Sequence, residues 1–175
     1  QADMIIAIGG GSAIDMAKAI SYFGRRADSN RKTTLVAIPT TSGTGSEVTS
    51  IAVITDKVNS VKIPLNDEML IPDAAILDAR FTRTVPPHVT AATGMDVLTH
   101  AVEAYTSRYS NVFTAIYAEQ AIRNVFTYLK RAYDHGDDMT ARDNMLIGSC
   151  MAGLAFTNSG LGVTHSMAHS LGGLF

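Results

Sequence analysis

The 175-residue sequence predicts an α/β part followed by an all-helical part. In the first half, short apolar runs of strand type alternate with turns and one clear helix, the order expected of a parallel sheet covered by helices. From Pro86 onward the apolar residues follow the helical period almost throughout. We place the boundary near Arg83 to Pro87, which gives predicted domains of residues 1–84 and 85–175.

The elements of the first half are predicted from apolar runs and the turn residues beside them. The strand candidates are Met4–Ile8, Thr34–Ile38, Ile51–Ile54 and Ala74–Leu77. After the turn at residues 9–12, a helix is predicted over Ala13–Phe23, with Ile14, Ala17 and Ile20 on one face.

The second half predicts four helices separated by short connections. An acidic stretch containing Gly136, residues 134–138, is predicted to be a loop. The predicted helices are Thr90–Thr106, Val112–Ala132, Ala141–Leu154 and Leu161–Leu174.

Composition excludes several classes of protein. Hydrophobic residues make up 46% and charged residues 17%, which is enough apolar material for a packed core. A formal net charge of −2 gives no indication of a nucleic-acid or acidic-membrane surface. No run approaches the roughly 18 apolar residues of a membrane span. Cys150 is the single cysteine, so an intramolecular disulfide is impossible and a reducing, cytoplasmic location is expected.

Both ends of the sequence fall inside structural patterns. The chain opens almost directly on the first strand, and it stops at Phe175 within an apolar pattern that has no helix-stop signal. We therefore expect this sequence to be an internal part of a longer protein, too short to hold a complete active site.

The first polar motif, Gly9-Gly10-Gly11-Ser12-Ala13-Ile14-Asp15, follows a strand and opens a helix. Glycines there allow close backbone approach to a diphosphate, and the helix N-terminus attracts its charge. Ser12 and Asp15 also have the spacing of a capping box. The alternative is a tight turn with an ordinary helix cap.

A second motif, Pro39-Thr40-Thr41-Ser42-Gly43-Thr44-Gly45-Ser46, follows the second strand. Ligands of open α/β sheets bind beyond the carboxyl ends of the strands, where this loop would lie. Its hydroxyls suit phosphate or ribose, although a polar loop that merely covers the sheet end is also possible. Because two such loops follow successive strands, each strengthens the prediction that the other binds a nucleotide.

The helical half contains two pairs of potential metal ligands, each with a spacing of four residues. Asp96 precedes His100, and His165 precedes His169, so each pair lies on one helix face. One carboxylate with several imidazoles suits Zn²⁺ or Fe²⁺ better than Mg²⁺ or Ca²⁺. The alternatives are a surface Asp–His hydrogen bond and histidines satisfied within the core.

These motifs resemble those of the iron-containing, or group III, alcohol dehydrogenases. The resemblance covers essentially the whole chain, and its later motifs are specific in combination. The segments that carry it are residues 3–18, 39–49, 76–105 and 162–173.

The resemblance implies a dehydroquinate-synthase-like architecture truncated at both ends, with a Rossmann-like nucleotide-binding part and a helical metal-binding part. It implies Asp96, His100 and His165 as metal ligands, with a fourth ligand, a histidine, beyond Phe175. His169 would instead lie near the nicotinamide and substrate as a catalytic residue, which revises the pairing inferred from spacing alone. The implied cofactor-binding residues are Gly10, Gly11, Ser12, Asp15, Thr40, Thr41, Thr44 and Lys62, the lysine reaching the ribose.

The implied reaction is the reversible oxidation of a small alcohol to an aldehyde or ketone with NAD or NADP. The metal, Fe²⁺ or Zn²⁺, would act as a Lewis acid on the substrate oxygen. Resemblance also favours a homo-oligomer, a dimer or larger. The alternatives are a glycerol-dehydrogenase-like or dehydroquinate-synthase-like member of the fold, in which no histidine is expected at the place of His100, and an inactive nucleotide-binding or partner-binding remnant.

Overall fold

The computed structural model describes residues 2–28, 33–56, 58 and 61–171, except for the side chain of His169. Its first part contains a helix and two small sheets. The elements are β1 (Met4–Gly9), α1 (Gly11–Ala27), β2 (Thr34–Pro39), β3 (Ile51–Asp56), β4 (Val61–Asn66) and β5 (Ala74–Ala75).

The parallel sheet has the order β1-β2-β5. Met4 pairs with Thr34 and Gly9 with Pro39, so β1 and β2 end at the same edge. Helix α1 connects them and packs its Ile14 and Ala17 into a core with residues of both strands. The predicted strand-helix-strand unit is therefore confirmed.

Strands β3 and β4 form a separate antiparallel hairpin. We predicted β3 but not β4, because β4 is mostly exposed and contains Pro64, which weakens a strand pattern. The predicted strand Ala74–Leu77 is wrong in length: only Ala74–Ala75 pairs with β2.

Helix α1 differs from its prediction in length and in one residue of its core face. It begins at Gly11 and continues to Ala27, so the predicted turn shrinks to Gly10. Ile14 and Ala17 are buried, but Ile20 is 57% exposed. Six residues from Ile14, Ile20 lies about 600° round the helix, well away from the face that meets the sheet.

The second part is helical, as predicted. Its helices pack through small residues, mostly alanines, that allow close approach of α2, α3 and α4. The helices are α2 (Pro87–Thr106), α3 (Val112–Asp134), α4 (Met139–Ser159) and α5 (Val163–Leu171).

Helix boundaries follow local capping signals. Proline is at the first position of α2, where no amide donor is needed. Asn111 and Thr114 form a capping box at the start of α3, and Asp138 accepts the Ala141 amide at the start of α4. The predicted end of the last helix, residues 172–174, lies outside the described residues.

Two contacts fix the connection between the parts. Arg142 of α4 is buried and donates to the Val85 carbonyl and to Thr90 Oγ1, which holds the start of α2. Gly45 meets Gly153 of α4, so the second loop rests directly on the helices. No helix in the described ranges has both the length and the apolar character needed to cross a bilayer.

Candidate metal and cofactor site

The two glycine-containing loops meet at the carboxyl edge of the parallel sheet. The Thr40 amide donates to the Gly9 carbonyl at 2.9 Å, which joins the ends of β1 and β2. A Cβ atom on Gly11 would lie 2.6 Å from Thr44 Cγ2, closer than any real contact. Glycine at this position therefore allows the second loop to approach the start of α1.

Asp15 is not part of a capping box, so that prediction is wrong. The N-cap of α1 is Gly10, and no side chain caps it. One Asp15 oxygen accepts from Ser46 Oγ at 2.6 Å, and the other accepts from the Val53 amide at 2.9 Å. Asp15 therefore joins α1 to the second loop and to β3, and both of its oxygens are used in doing so.

Lys18 makes a second connection of this kind. Its ammonium group is fully buried and donates to the Thr49 carbonyl, Thr49 Oγ1 and the Ile51 carbonyl at 2.8, 3.0 and 2.8 Å. Burial lowers the pKa of Lys18 to about 8, against the opposing effects of Asp15 and Glu47. These bonds fix the start of β3, the strand of the hairpin whose partner carries Lys62.

Three predicted ligands converge where α2 meets α5. Potential donor atoms of Asp96, His100 and His165 all lie within 4.8 Å of one another. Asp96 Oδ1 is 3.8 Å from His100 Nε2 and 3.5 Å from His165 Nε2. The imidazoles stack with a 4.3 Å centroid separation. Helix α2 supplies two of these ligands and α5 supplies the third.

His100 is held as a neutral base. Burial lowers its pKa to about 4, although Asp96 raises it. Its ring stacks on Phe156 at 4.5 Å. Nδ1 has no hydrogen-bond partner within bonding distance among the described residues. The Gly43 backbone raises the pKa of His100, but by less than burial lowers it. A neutral imidazole has a free lone pair, which a metal requires.

His165 has a different environment, because Glu103 of α2 contacts its second ring nitrogen. Nδ1 of His165 is 2.6 Å from Glu103 Oε2. Burial opposes protonation of His165, but Asp96 and Glu103 together raise its pKa. Burial also acts to raise the pKa of Glu103, yet hydrogen bonds from the Gly162 amide, His165 and Thr164 lower it to about 2.

One cavity of about 300 Å³ connects the loops with the metal-ligand cluster. All three predicted ligands line it, together with five of the predicted cofactor-binding residues: Gly11, Ser12, Asp15, Thr44 and Lys62. Gly10, Thr40 and Thr41 lie on the same two loops but not in its lining. The side chain of His169 lies outside the described residues, so its catalytic role stays a prediction.

Sequence reasoning missed several residues of the site. Phe156 lines the cavity beside His100, and nothing in the pattern of α4 distinguishes it from an ordinary core residue. Glu103 was detectable, because it lies seven residues after Asp96 and so on the same face of α2. Its contact with His165 was not, since it spans 62 residues of sequence.

Comparison with known protein families gives two matches that together span most of the chain. Residues 1–79 match the model of the iron-containing alcohol dehydrogenases. Residues 90–175 match the C-terminal model of the Fe-containing alcohol dehydrogenase family.

Individual proteins agree with these matches. The chain is 51% identical to 1-propanol dehydrogenase PduQ of Salmonella typhimurium, over 100% of this chain and 47% of that protein. Sulfoacetaldehyde reductase of Bifidobacterium kashiwanohense, solved in complex with NAD+, superposes with a TM-score of 0.90 at 35% identity, over 97% of this chain and 48% of that one. The iron-containing alcohol dehydrogenase of Thermococcus thioreducens gives 0.89 at 37% identity, over 97% and 48%.

The chain spans about half the length of the curated relatives it matches. Within that half, the matched segments contain both loops and all three residues of the ligand cluster. The chain therefore belongs to the iron-containing alcohol dehydrogenase family.

Proposed function

We propose that this chain carries the coenzyme loops and three metal ligands of an NAD(P)-linked, metal-dependent alcohol dehydrogenase, which interconverts an alcohol and an aldehyde or ketone. The observation that carries the proposal is the shared cavity, in which the loops after β1 and β2 face Asp96, His100 and His165. Hydride transfer requires the nicotinamide and the substrate carbon to be adjacent, and one cavity can hold both.

The three side chains fit a metal ion by their chemistry. Asp96 supplies an anionic oxygen, and His100 supplies a neutral imidazole whose free base form is favoured by burial. This mixture of oxygen and nitrogen donors suits Fe²⁺ or Zn²⁺. A bound metal would supply Lewis-acid activation of the substrate oxygen.

The remaining residues of the cavity would bind and orient the coenzyme and shield the cluster. The open amides at the start of α1 would hold the coenzyme diphosphate, beside the hydroxyl of Thr44. Lys62, which lines the same cavity from β4, would donate to the coenzyme ribose. Phe156 covers one face of His100 and keeps water from that side of the cluster. His169 would lie near the nicotinamide and substrate.

Relatives support the coenzyme, the metal and the substrate class. The sulfoacetaldehyde reductase is a complex with NAD+, the Thermococcus protein is iron-containing, and PduQ is a 1-propanol dehydrogenase. A glycerol-dehydrogenase-like or dehydroquinate-synthase-like activity is not favoured, because the family models matched are those of the iron-containing alcohol dehydrogenases. We also propose a domain boundary between residues 84 and 85, a cytoplasmic location and a homo-oligomeric parent protein.

The proposal is tested on the 175-residue chain by two substitutions, one expected to weaken metal binding alone and the other NADH binding alone. Asp96→Asn is expected to weaken Co²⁺ or Zn²⁺ binding by at least about 100-fold, because a charged ligand is lost. It should leave NADH affinity unchanged. Lys62→Met should weaken NADH binding by about 10- to 100-fold, the value of one charge-assisted hydrogen bond, and leave metal affinity unchanged.

Both affinities are measured by calorimetric titration of each variant and of the unsubstituted chain. Each variant serves as the control for the other, because each should disturb one ligand alone. If the unsubstituted chain bound neither NADH nor metal, the result would favour an inactive remnant and contradict the proposal.

A further inference from the structure

We propose that Glu103 is a positioning residue that sets the orientation and tautomer of His165 and locks the metal-ligand helices α2 and α5 together. The proposal rests on the metal site proposed above, but its central contact joins two side chains of this chain, Glu103 and His165. Asp96, His100 and Glu103 follow one another at intervals of four and three residues on one face of α2. The third member of this row contacts a potential ligand instead of joining the cluster.

The Glu103 carboxylate accepts hydrogen bonds from three groups of the segment that begins α5. The Gly162 amide donates to Oε2 at 2.9 Å, and the Thr164 amide donates to Oε1 at 2.8 Å. His165 Nδ1 lies 2.6 Å from Oε2. Only 10% of the Glu103 side chain is exposed, so water competes little for these oxygens.

This arrangement requires a hydrogen-bond acceptor at both side-chain oxygen positions of residue 103. Two amides and one imidazole direct N–H groups at the carboxylate, so the NH₂ group of a glutamine would face a donor whichever way it turned. The fit is also close: a Cβ atom on Gly162 would lie 2.9 Å from Glu103 Oε1. Glycine at this position lets the chain pass beside the carboxylate.

The consequence for His165 is a defined tautomer. With Glu103 accepting at Nδ1, the proton of the neutral ring is on Nδ1, and the ring lone pair is on Nε2. That Nε2 atom is the one 3.5 Å from Asp96 Oδ1. Carboxylate partners of this kind orient metal-binding histidines in other proteins.

His100, the other histidine of the cluster, is held in a different way. Its Nδ1 has no hydrogen-bond partner among the described residues, and its ring is positioned by stacking on Phe156 and His165. Helix α2 also packs extensively against α3 and α4, whereas α5 packs more lightly against the other elements of the described part of the chain. The Glu103 contacts therefore contribute to placing His165 within reach of Asp96.

The test compares Glu103→Gln and Glu103→Ala with a matched control, Glu119→Gln, which removes the same charge from an exposed position of α3. Co²⁺ affinity is measured by titration, and folding is checked by circular dichroism. Both Glu103 variants should bind Co²⁺ about 10- to 100-fold more weakly than the unsubstituted chain. The control should bind normally.

A second measurement reads the tautomer directly. ¹⁵N NMR of the ring nitrogens of His165, in the metal-free unsubstituted chain at alkaline pH, should show the proton on Nδ1. A proton on Nε2 would overturn the proposal even if the Glu103 variants failed to fold. Normal Co²⁺ affinity in folded Glu103→Gln would overturn it as well.

The two measurements separate this proposal from the function it rests on. If the unsubstituted chain bound no Co²⁺, the proposed metal site would fail, while the tautomer would still decide the role of Glu103 in holding His165. If the chain bound Co²⁺ but the proton of His165 were on Nε2, the metal site would stand without this role for Glu103.

Discussion

Two ionisable side chains, those of Lys18 and Glu47, are buried behind the two glycine-containing loops, at some cost in free energy. Lys18 is fully buried but has three oxygen acceptors. Glu47 is 2% exposed, its pKa is raised by burial, and its Oε1 lacks a partner among the described residues. Lys18 and Glu47 each shift the pKa of the other toward the charged form. Buried charges of this kind hold segments in place more than they add stability.

Lys18 should give the chain a defined pH dependence of stability. Its pKa is 10.5 when unfolded and about 8 when folded, so between these values the unfolded state binds more protons. The free energy of unfolding should therefore rise with pH from about 8 to 10.5, by up to about 3 kcal/mol from this group.

The measurement is urea unfolding of the chain and of Lys18→Met between pH 7.5 and 10.5. Asp15 and Glu47 face the ammonium group in the unsubstituted chain and remain in the variant, so the difference between the two curves isolates Lys18. We expect that difference to change in favour of the unsubstituted chain as pH rises. A difference independent of pH would mean that burial does not lower the Lys18 pKa.

At the level of elements, the second loop is fixed against α4 by two facing glycines. Gly45 has a φ of 61°, which favours glycine, and a Cβ atom there would lie 2.8 Å from Gly153 Cα. A Cβ atom on Gly153 would lie 2.8 Å from Val48 Cγ2 and 3.0 Å from the Gly45 carbonyl oxygen. The loop and the helix therefore approach as closely as their backbones allow.

Gly153→Ala should destabilise the chain. In an ordinary helix this change stabilises by about 1 kcal/mol. Here the added methyl group must displace the loop, and we expect a net loss of about 1–3 kcal/mol in urea unfolding. Val48→Ala in the same chain removes the nearest side-chain contact and should recover part of the loss, as a double-mutant cycle would show. A gain in stability for Gly153→Ala alone would contradict the contact.

At the scale of the whole molecule, the described residues leave one face of the parallel sheet uncovered. Met4, Ile6 and Ile8 are each more than 50% exposed, and the paired residues Val36 and Ile38 are half-buried on the same face. Strands of parallel sheets are normally covered on both faces. An apolar surface of this kind favours association.

We therefore expect the 175-residue chain to self-associate as its concentration increases. Ile6→Lys together with Ile8→Lys should reduce the average mass measured by light scattering, because two charges would have to be buried in the contact. Val58→Lys is the control, since Val58 is an isolated residue, 92% exposed, outside this sheet. An unchanged mass distribution in the double variant would exclude the open face as the contact surface.

The sequence by itself determined the order of the architecture and most of its elements. Helices α2, α3 and α4 were predicted because their apolar residues repeat with a local period, and β1, α1 and β2 because turn residues separate contrasting patterns. The Asp96–His100 pair was likewise visible from spacing alone. Resemblance then selected His165 over His169 as the third ligand, a choice that spacing left open.

Tertiary structure alone decided which distant segments meet. It paired β3 with β4 in a separate hairpin, directed Asp15 to Ser46 and Val53, and brought Glu103 to His165. The hydrogen bonds of Asp15 and Glu103 join residues 31 to 62 positions apart, and no local period encodes them. A local pattern shows which face of an element is buried or polar. The partner of that face is set by how the elements pack, because packing alone brings distant donors and acceptors within bonding distance.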